Sequence, residues 1–175
     1  MLFRSEAHGL TDHIGAFVVT ASINDEAIKP YADDDYASIM IRILSDRLAE
    51  AAAEWLDMKI RTEYWGYDKK ENLTIEEILK LKYKGIRPAP GYPACPDHTE
   101  KRVIFDLLEA EKNIGAELTE NFAMVPAAAV SGYFFAHPGS SYFNIGKLGS
   151  DQLADYAKRK NFAPGEAKKW LAPNL

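Results

Sequence analysis

Apolar residues recur in this chain in two rhythms, and the changes between them outline the elements. Residues 14–22 (IGAFVVTAS) form an almost unbroken apolar run with β-branched members, the pattern of a buried strand. Residues 1–12 ahead of it show neither periodicity nor a cap. From Asp33 to about Tyr64 the rhythm changes to steps of three and four. Ile41, Leu44, Leu48, Ala51, Trp55 and Met58 then share one stripe of a long amphipathic helix, the stripe expected to face a core. Asp33, Asp34 and Asp35 suit the positive end of that helix's dipole.

Shorter elements follow. Thr74-Ile75-Glu76-Glu77 is a capping box opening a helix that runs to about Tyr83, with Gly85 closing it. Residues 99–113 read as a helix with Val103, Leu107 and Leu108 inward, Ile104 a further candidate, and Gly115 as terminator. Residues 130–137 (VSGYFFAH) and 142–148 (YFNIGKL) are aromatic-rich strand patterns joined by Pro-Gly-Ser-Ser, which predicts a hairpin. Ser150 is expected to cap a helix to Lys160, and Pro164 to start a last helix through Trp170 that Ala172-Pro173 stops. A strand, a long helix, short helices and a late hairpin without βαβ alternation predict an α+β fold with an antiparallel sheet. No linker divides residues 1–175, so one domain is expected.

Composition narrows the function. At 47% hydrophobic and 27% charged, the chain can bury a core without staples. A formal net charge of −5 argues against nucleic-acid binding as its main task. No apolar run approaches the roughly 18 residues of a membrane span, and the first eight residues lack a signal core, so a cytoplasmic protein with no membrane role is expected. The single cysteine, Cys95, permits no internal disulfide and no multi-thiolate zinc site.

The candidate chemistry centres on residues 87–101 (RPAPGYPACPDHTEK), which hold four prolines and a glycine in fifteen positions. Such a loop cannot be a helix interior or a central strand, and its stiffness lowers the entropy lost on gripping a ligand. Arg87 at its mouth could take a carboxylate through two parallel hydrogen bonds, while Gly91, next to Tyr92, lets a flat ligand approach the backbone. Equally, Arg87 could pair with a surface acid, the prolines merely shaping a connection.

Cys95 and His98 could form a thiol–base pair, but no orienting third group stands at a recognisable spacing, and Asp97 or Thr99 reads more simply as the cap of the next helix. His8, His13 and His137 show no ligand pattern. On the long helix Asp46 and Glu50 lie one turn apart, with Asp57 further along a similar face. They could receive an ammonium or ribose hydroxyls, or form a solvated face. Tyr133, Phe134, Phe135, Tyr142 and Phe143 would make both faces of the hairpin aromatic, one for core and one for stacking or a partner.

Residues 85–101, then LTENFAM at 118–124, VSGY at 130–133 and DYAKRK at 155–160, resemble the C-terminal activation domain of cobalamin-dependent methionine synthase. The similarity extends over about residues 12–175, through RLAE at 47–50, YWGY at 64–67 and WLAPNL at 170–175. The resemblance implies a curved α+β module with a twisted antiparallel sheet, a long helix and C-terminal helices. It also implies binding of S-adenosyl-L-methionine and docking over the cobalamin-binding domain of the same enzyme. There the module would support reductive methylation of cob(II)alamin, with an electron from a flavodoxin or a diflavin reductase. No side chain of this chain is then catalytic, and turnover by the chain alone is not expected.

Residue by residue, the resemblance makes Arg87 the holder of the methionine carboxylate and lines the ligand with Ala89, Pro90, Gly91 and Tyr92. Glu50 is the acid near the ligand, Tyr142 and Phe143 complete the site, and Asp46 faces the cobalamin domain. Family members carry a further N-terminal segment with a ligand-site aspartate, unmatched in residues 1–13. Weak binding by this chain is therefore expected. The alternative is a docking module that contacts a cobalamin domain without binding S-adenosylmethionine.

Overall fold

The computed structural model describes residue 9, residues 11–163 and residues 165–175. The expected start of the last helix at Pro164 and the opening segment 1–8 lie outside the described residues. Strand β1 (Gly15–Thr20) leads through the short helix α1 (Asp25–Ile28) to helix α2 (Asp35–Lys59). Asp34 caps α2, its side chain accepting from the Ala37 N–H at 2.9 Å. A π turn, Ile60–Tyr64, ends the helix, with the Trp65 and Gly66 N–H groups both reaching the Ile60 carbonyl.

Helix α3 (Ile75–Leu79) starts at the predicted Thr74–Glu77 capping box but stops early, at Leu81 with its positive φ of 55°. The helix expected over 99–113 is two: α4 (Glu100–Leu107) and α5 (Ala110–Ile114) are separated by Glu109 in the left-handed region, and Gly115 terminates the second as predicted. Strands β2 (Glu117–Leu118) and β3 (Met124–Val125) pair briefly, and β4 (Ala129–Phe134) follows. Helix α6 (Ser150–Lys160) is capped by Gly149, not Ser150, with the Gly149 N–H donating to Gln152 Oε1. Helix α7 (Glu166–Trp170) precedes the closing turn Ala172–Asn174.

The predicted hairpin does not form. β4 pairs antiparallel with β1, from Gly15 opposite Phe134 to Thr20 opposite Ala129. Its other edge is taken by the arm of the proline loop: Ile86 and Phe135 exchange two backbone hydrogen bonds, and the Tyr133 N–H reaches the Pro88 carbonyl at 3.0 Å. With both edges of β4 occupied, residues 142–148 have no strand to join. They run instead across the loop and the C-terminus, through Ile145 N–H to Pro93 O and Leu148 N–H to Asn174 O.

The sheet is covered on both faces. Phe17 and Phe134 stack with centroids 4.7 Å apart, and α2 lays Ala53 on them. On the other side Val18 packs with Phe105, Ala110 and Ala116 from α4, α5 and the segment after them. The buried face of α2 is Ser45, Ala49, Ala53 and Asp57. This corrects the expected stripe: Leu44, Leu48 and Trp55 are 53%, 60% and 54% exposed, Ala51 is exposed too, and only Ile41 and Met58 are half-buried. A helix that rides directly on two stacked phenylalanines needs small residues at the contact, so side-chain volume decided which face turned inward.

Candidate functional site

The proline loop hangs from β4 and bends where two glycines allow it. At Gly132 a Cβ would come within 2.8 Å of the Pro88 carbonyl oxygen and 3.0 Å of the Phe17 ring, so only glycine lets the arm lie against the strand. At the apex Gly91 has φ +97°, and a Cβ there would fall 2.3 Å from the His98 ring. The turn closes through Gly91 N–H to Cys95 O at 2.7 Å and Cys95 N–H to Tyr92 O at 2.8 Å. Asp97, fully buried, accepts from the Thr99 N–H at 2.8 Å and from the Tyr156 hydroxyl at 2.5 Å, tying the loop to α6. The cap expected from Asp97 or Thr99 does not form: Asp97 closes a turn on the Thr99 N–H ahead of α4, and the Thr99 hydroxyl caps nothing. Glu100 adds a second tie, accepting from Lys160 and Tyr133.

Between the loop, α2 and residues 142–144 lies a cleft of about 820 Å³. Glu50 and Glu54 line it from α2, Arg87, Ala89 and Tyr92 from the loop, and Tyr142 with Phe143 from the far segment. Leu79, Leu81 and Ala51 make its apolar side. Of the residues singled out in the sequence, Pro90 and Gly91 shape the loop without lining the cleft. Asp46 is exposed on α2, one turn before Glu50, outside the cleft wall. Glu50 is paired with Arg47 on the surface.

Arg87 is not a free fork. Its Nη2 donates to Glu54 Oε2 at 2.6 Å, and its Nε stands 3.5 Å from Asp57 Oδ2. Within this pair, Arg87 Nε and Glu54 Oε1 are buried and nevertheless have no hydrogen-bond partner. The Arg87 backbone N–H donates to the Tyr142 hydroxyl at 3.1 Å, which lies 3.5 Å from the Tyr83 hydroxyl. Burial works against the charge on Arg87, but Glu54, Tyr83 and Asp57 hold the guanidinium above its ordinary value.

Behind the wall runs an ionic chain that the sequence reading missed. Asp57, expected to share a ligand-receiving or solvated face with Asp46 and Glu50, is instead 2% exposed and accepts from Arg61 Nη1 at 2.5 Å. Burial pushes its carboxyl up to about 6, opposed by the charges of Arg61 and Arg87. Arg61 itself is fully buried and donates from Nε and Nη2 to both oxygens of Glu71. The signal was present: Asp57 and Arg61 stand at i, i+4, a spacing that joins opposite charges on a helix.

The thiol alternative finds no support in the geometry. Burial raises Cys95 to about 11, so it stays a thiol at neutral pH, while burial and Lys101 lower His98. His98 sits against Gly91 with its Nδ1 3.2 Å from Lys101 Nζ. Among the described residues no cluster of three His, Cys, Asp or Glu could hold a metal, and no helix is long and apolar enough to cross a membrane.

Residues 3–161 match the family model described as vitamin B12 dependent methionine synthase, activation domain. The chain belongs to that family. A solved structure, the MetH reactivation domain bound to AdoHcy, superposes with a TM-score of 0.94 at 50% sequence identity, covering 99% of this chain. That match spans 55% of the solved chain, so this activation domain extends over about half the length of its relative. The α+β architecture with small antiparallel sheets is therefore the family's own.

Proposed function

We propose that the cleft binds S-adenosylmethionine and that this domain presents the ligand to a cobalamin-bearing domain, as part of a cytoplasmic methionine synthase, a methyltransferase. The observation that carries the reading is the convergence of Arg87, Ala89, Tyr92, Glu50, Tyr142 and Phe143, from three distant segments, on one cleft. A relative half identical in sequence is described with AdoHcy bound. The cleft falls within the roughly 300–1,000 Å³ of small-molecule sites, and its donor set suits an amino-acid nucleoside. Arg87 takes the carboxylate, since Glu54 engages only its Nη2; Glu54 Oε1 and Glu50 accept from the ammonium or ribose hydroxyls. Phe143, Leu79 and Leu81 cover the base.

The protein's task is then one of position: hold the sulfonium methyl at the cleft mouth and exclude water. The partner domain's cobalamin, when bound, supplies the methyl acceptor for reductive methylation of cob(II)alamin, with an electron from a flavodoxin or diflavin reductase. Calorimetric titration with S-adenosylmethionine should show binding that Arg87→Ala weakens by about tenfold or more, the worth of a charge-assisted pair. Absence of binding by the wild-type chain at millimolar ligand would leave docking without S-adenosylmethionine as the function.

A further inference from the structure

Arg61 is a guanidinium with no exposed surface and no place on the cleft wall, yet it touches the supports of two groups on that wall. It lies in the π turn that ends α2, where the added residue per turn redirects side chains. Its Nε and Nη2 hold Glu71 at 2.5 and 2.8 Å, and its Nη1 holds Asp57 at 2.5 Å. Its carbon centre lies 4.3 Å from the centroid of the Tyr83 ring. A buried ionic cluster is costly to desolvate, and an apolar filling would serve a core as well. Its use is to be sought in what it holds.

Two routes lead from Arg61 to Arg87. The first is electrostatic: the same Asp57 oxygen that accepts from Arg61 lies 3.5 Å from Arg87 Nε. The second is mechanical: the Tyr83 ring packed on Arg61 carries a hydroxyl 3.5 Å from the Tyr142 hydroxyl, which accepts from the Arg87 N–H. One route reaches the guanidinium and the other the backbone of the same residue.

We propose that Arg61 is a positioning residue for the amino-acid end of the ligand, acting through Asp57 and Tyr83 to orient Arg87; this rests on the functional reading above. Glu54 grips Arg87 at one nitrogen only, which leaves the fork free to swing about that hydrogen bond. Nε makes no hydrogen bond, so the Asp57 charge is what sets the tilt of the plane. Arg61 in turn orients Asp57 and offsets its negative charge in the interior. Arg61 and Asp57 therefore favour ligands with a carboxylate while touching none.

The test is calorimetric titration of the chain with AdoHcy and with its decarboxylated analogue, 5′-deoxy-5′-(3-aminopropylthio)adenosine, in wild type, Asp57→Asn and Arg61→Lys. Thermal melts accompany each titration. Wild type should prefer AdoHcy by about tenfold or more. Asp57→Asn, which keeps the shape and loses the charge, should lose about tenfold for AdoHcy while its affinity for the analogue stays within about twofold. Arg61→Lys, keeping charge without the fork, should move the same way; if it does not fold, Asp57→Asn decides. A folded variant that keeps the full preference, or loses both ligands equally, overturns the proposal, as does a wild type without preference. A wild type that binds neither ligand overturns the functional reading itself, and this one with it.

Discussion

The two sides of α2 differ in a way that hydropathy alone does not anticipate. One side carries Tyr36, Ile43, Leu44, Leu48 and Trp55 in the open; the other, carrying Ser45, Ala49, Ala53 and Asp57, is the buried one. The small side touches the Phe17–Phe134 stack closely, and at its far end the same side turns ionic and supports Arg87. Hydrophobicity says which residues gain by burial. Fit to an aromatic floor decides which are buried.

Three substitutions would break or sharpen this contrast. Arg61→Ala, at the ionic end of the buried side, should cost about 3–5 kcal/mol, because it leaves Asp57 and Glu71 as buried charges without their partner. Urea denaturation measures it, and a cost below about 1 kcal/mol would mean water or neighbours replace the guanidinium. Ala53→Leu, at the tight contact, should destabilise by about 1–3 kcal/mol through overpacking against Phe17 and Phe134. A neutral result in the same assay would show that α2 can lift off the sheet. On the open side Leu48→Gln should change stability by no more than about 0.5 kcal/mol, although it replaces the larger and more apolar side chain. A loss comparable to that of Ala53→Leu would place Leu48 in a packed environment and erase the contrast.

Much of the local structure is legible in the sequence. The Thr74–Glu77 capping box and the stop at Gly115 are short-range chemistry, and they stand where the sequence put them. The proline loop was legible for the same reason, since φ is fixed residue by residue. What escaped reading was long-range. Periodicity cannot know that α2 lies on stacked aromatics, so it chose the wrong side. Aromatic runs at 130–137 and 142–148 each fit a strand, but nothing in them says that Gly15–Thr20 and Ile86–Pro88 already hold both edges of β4.

The site shows the same division. Arg87, Ala89, Tyr92, Glu50, Tyr142 and Phe143 were singled out and line one cleft, while Glu54 and Tyr83 on that wall were not seen. Both look ordinary until the chain brings them beside Arg87 and Tyr142. Asp57 was seen and misplaced, because its burial depends on the phase of α2 against the sheet.

The ladder joining Gly15 to Phe134 closes most of the chain into one loop. Such a closure is an event of high contact order, and its entropic cost comes before any strand contact rewards it. The cleft draws its walls from α2, from residues 79–94 and from residues 142–144, the first two within that loop and the third beyond it. A complete cleft thus depends on pairings made between residues far apart in the chain. Helix α2 alone supplies one wall of it and no binding site.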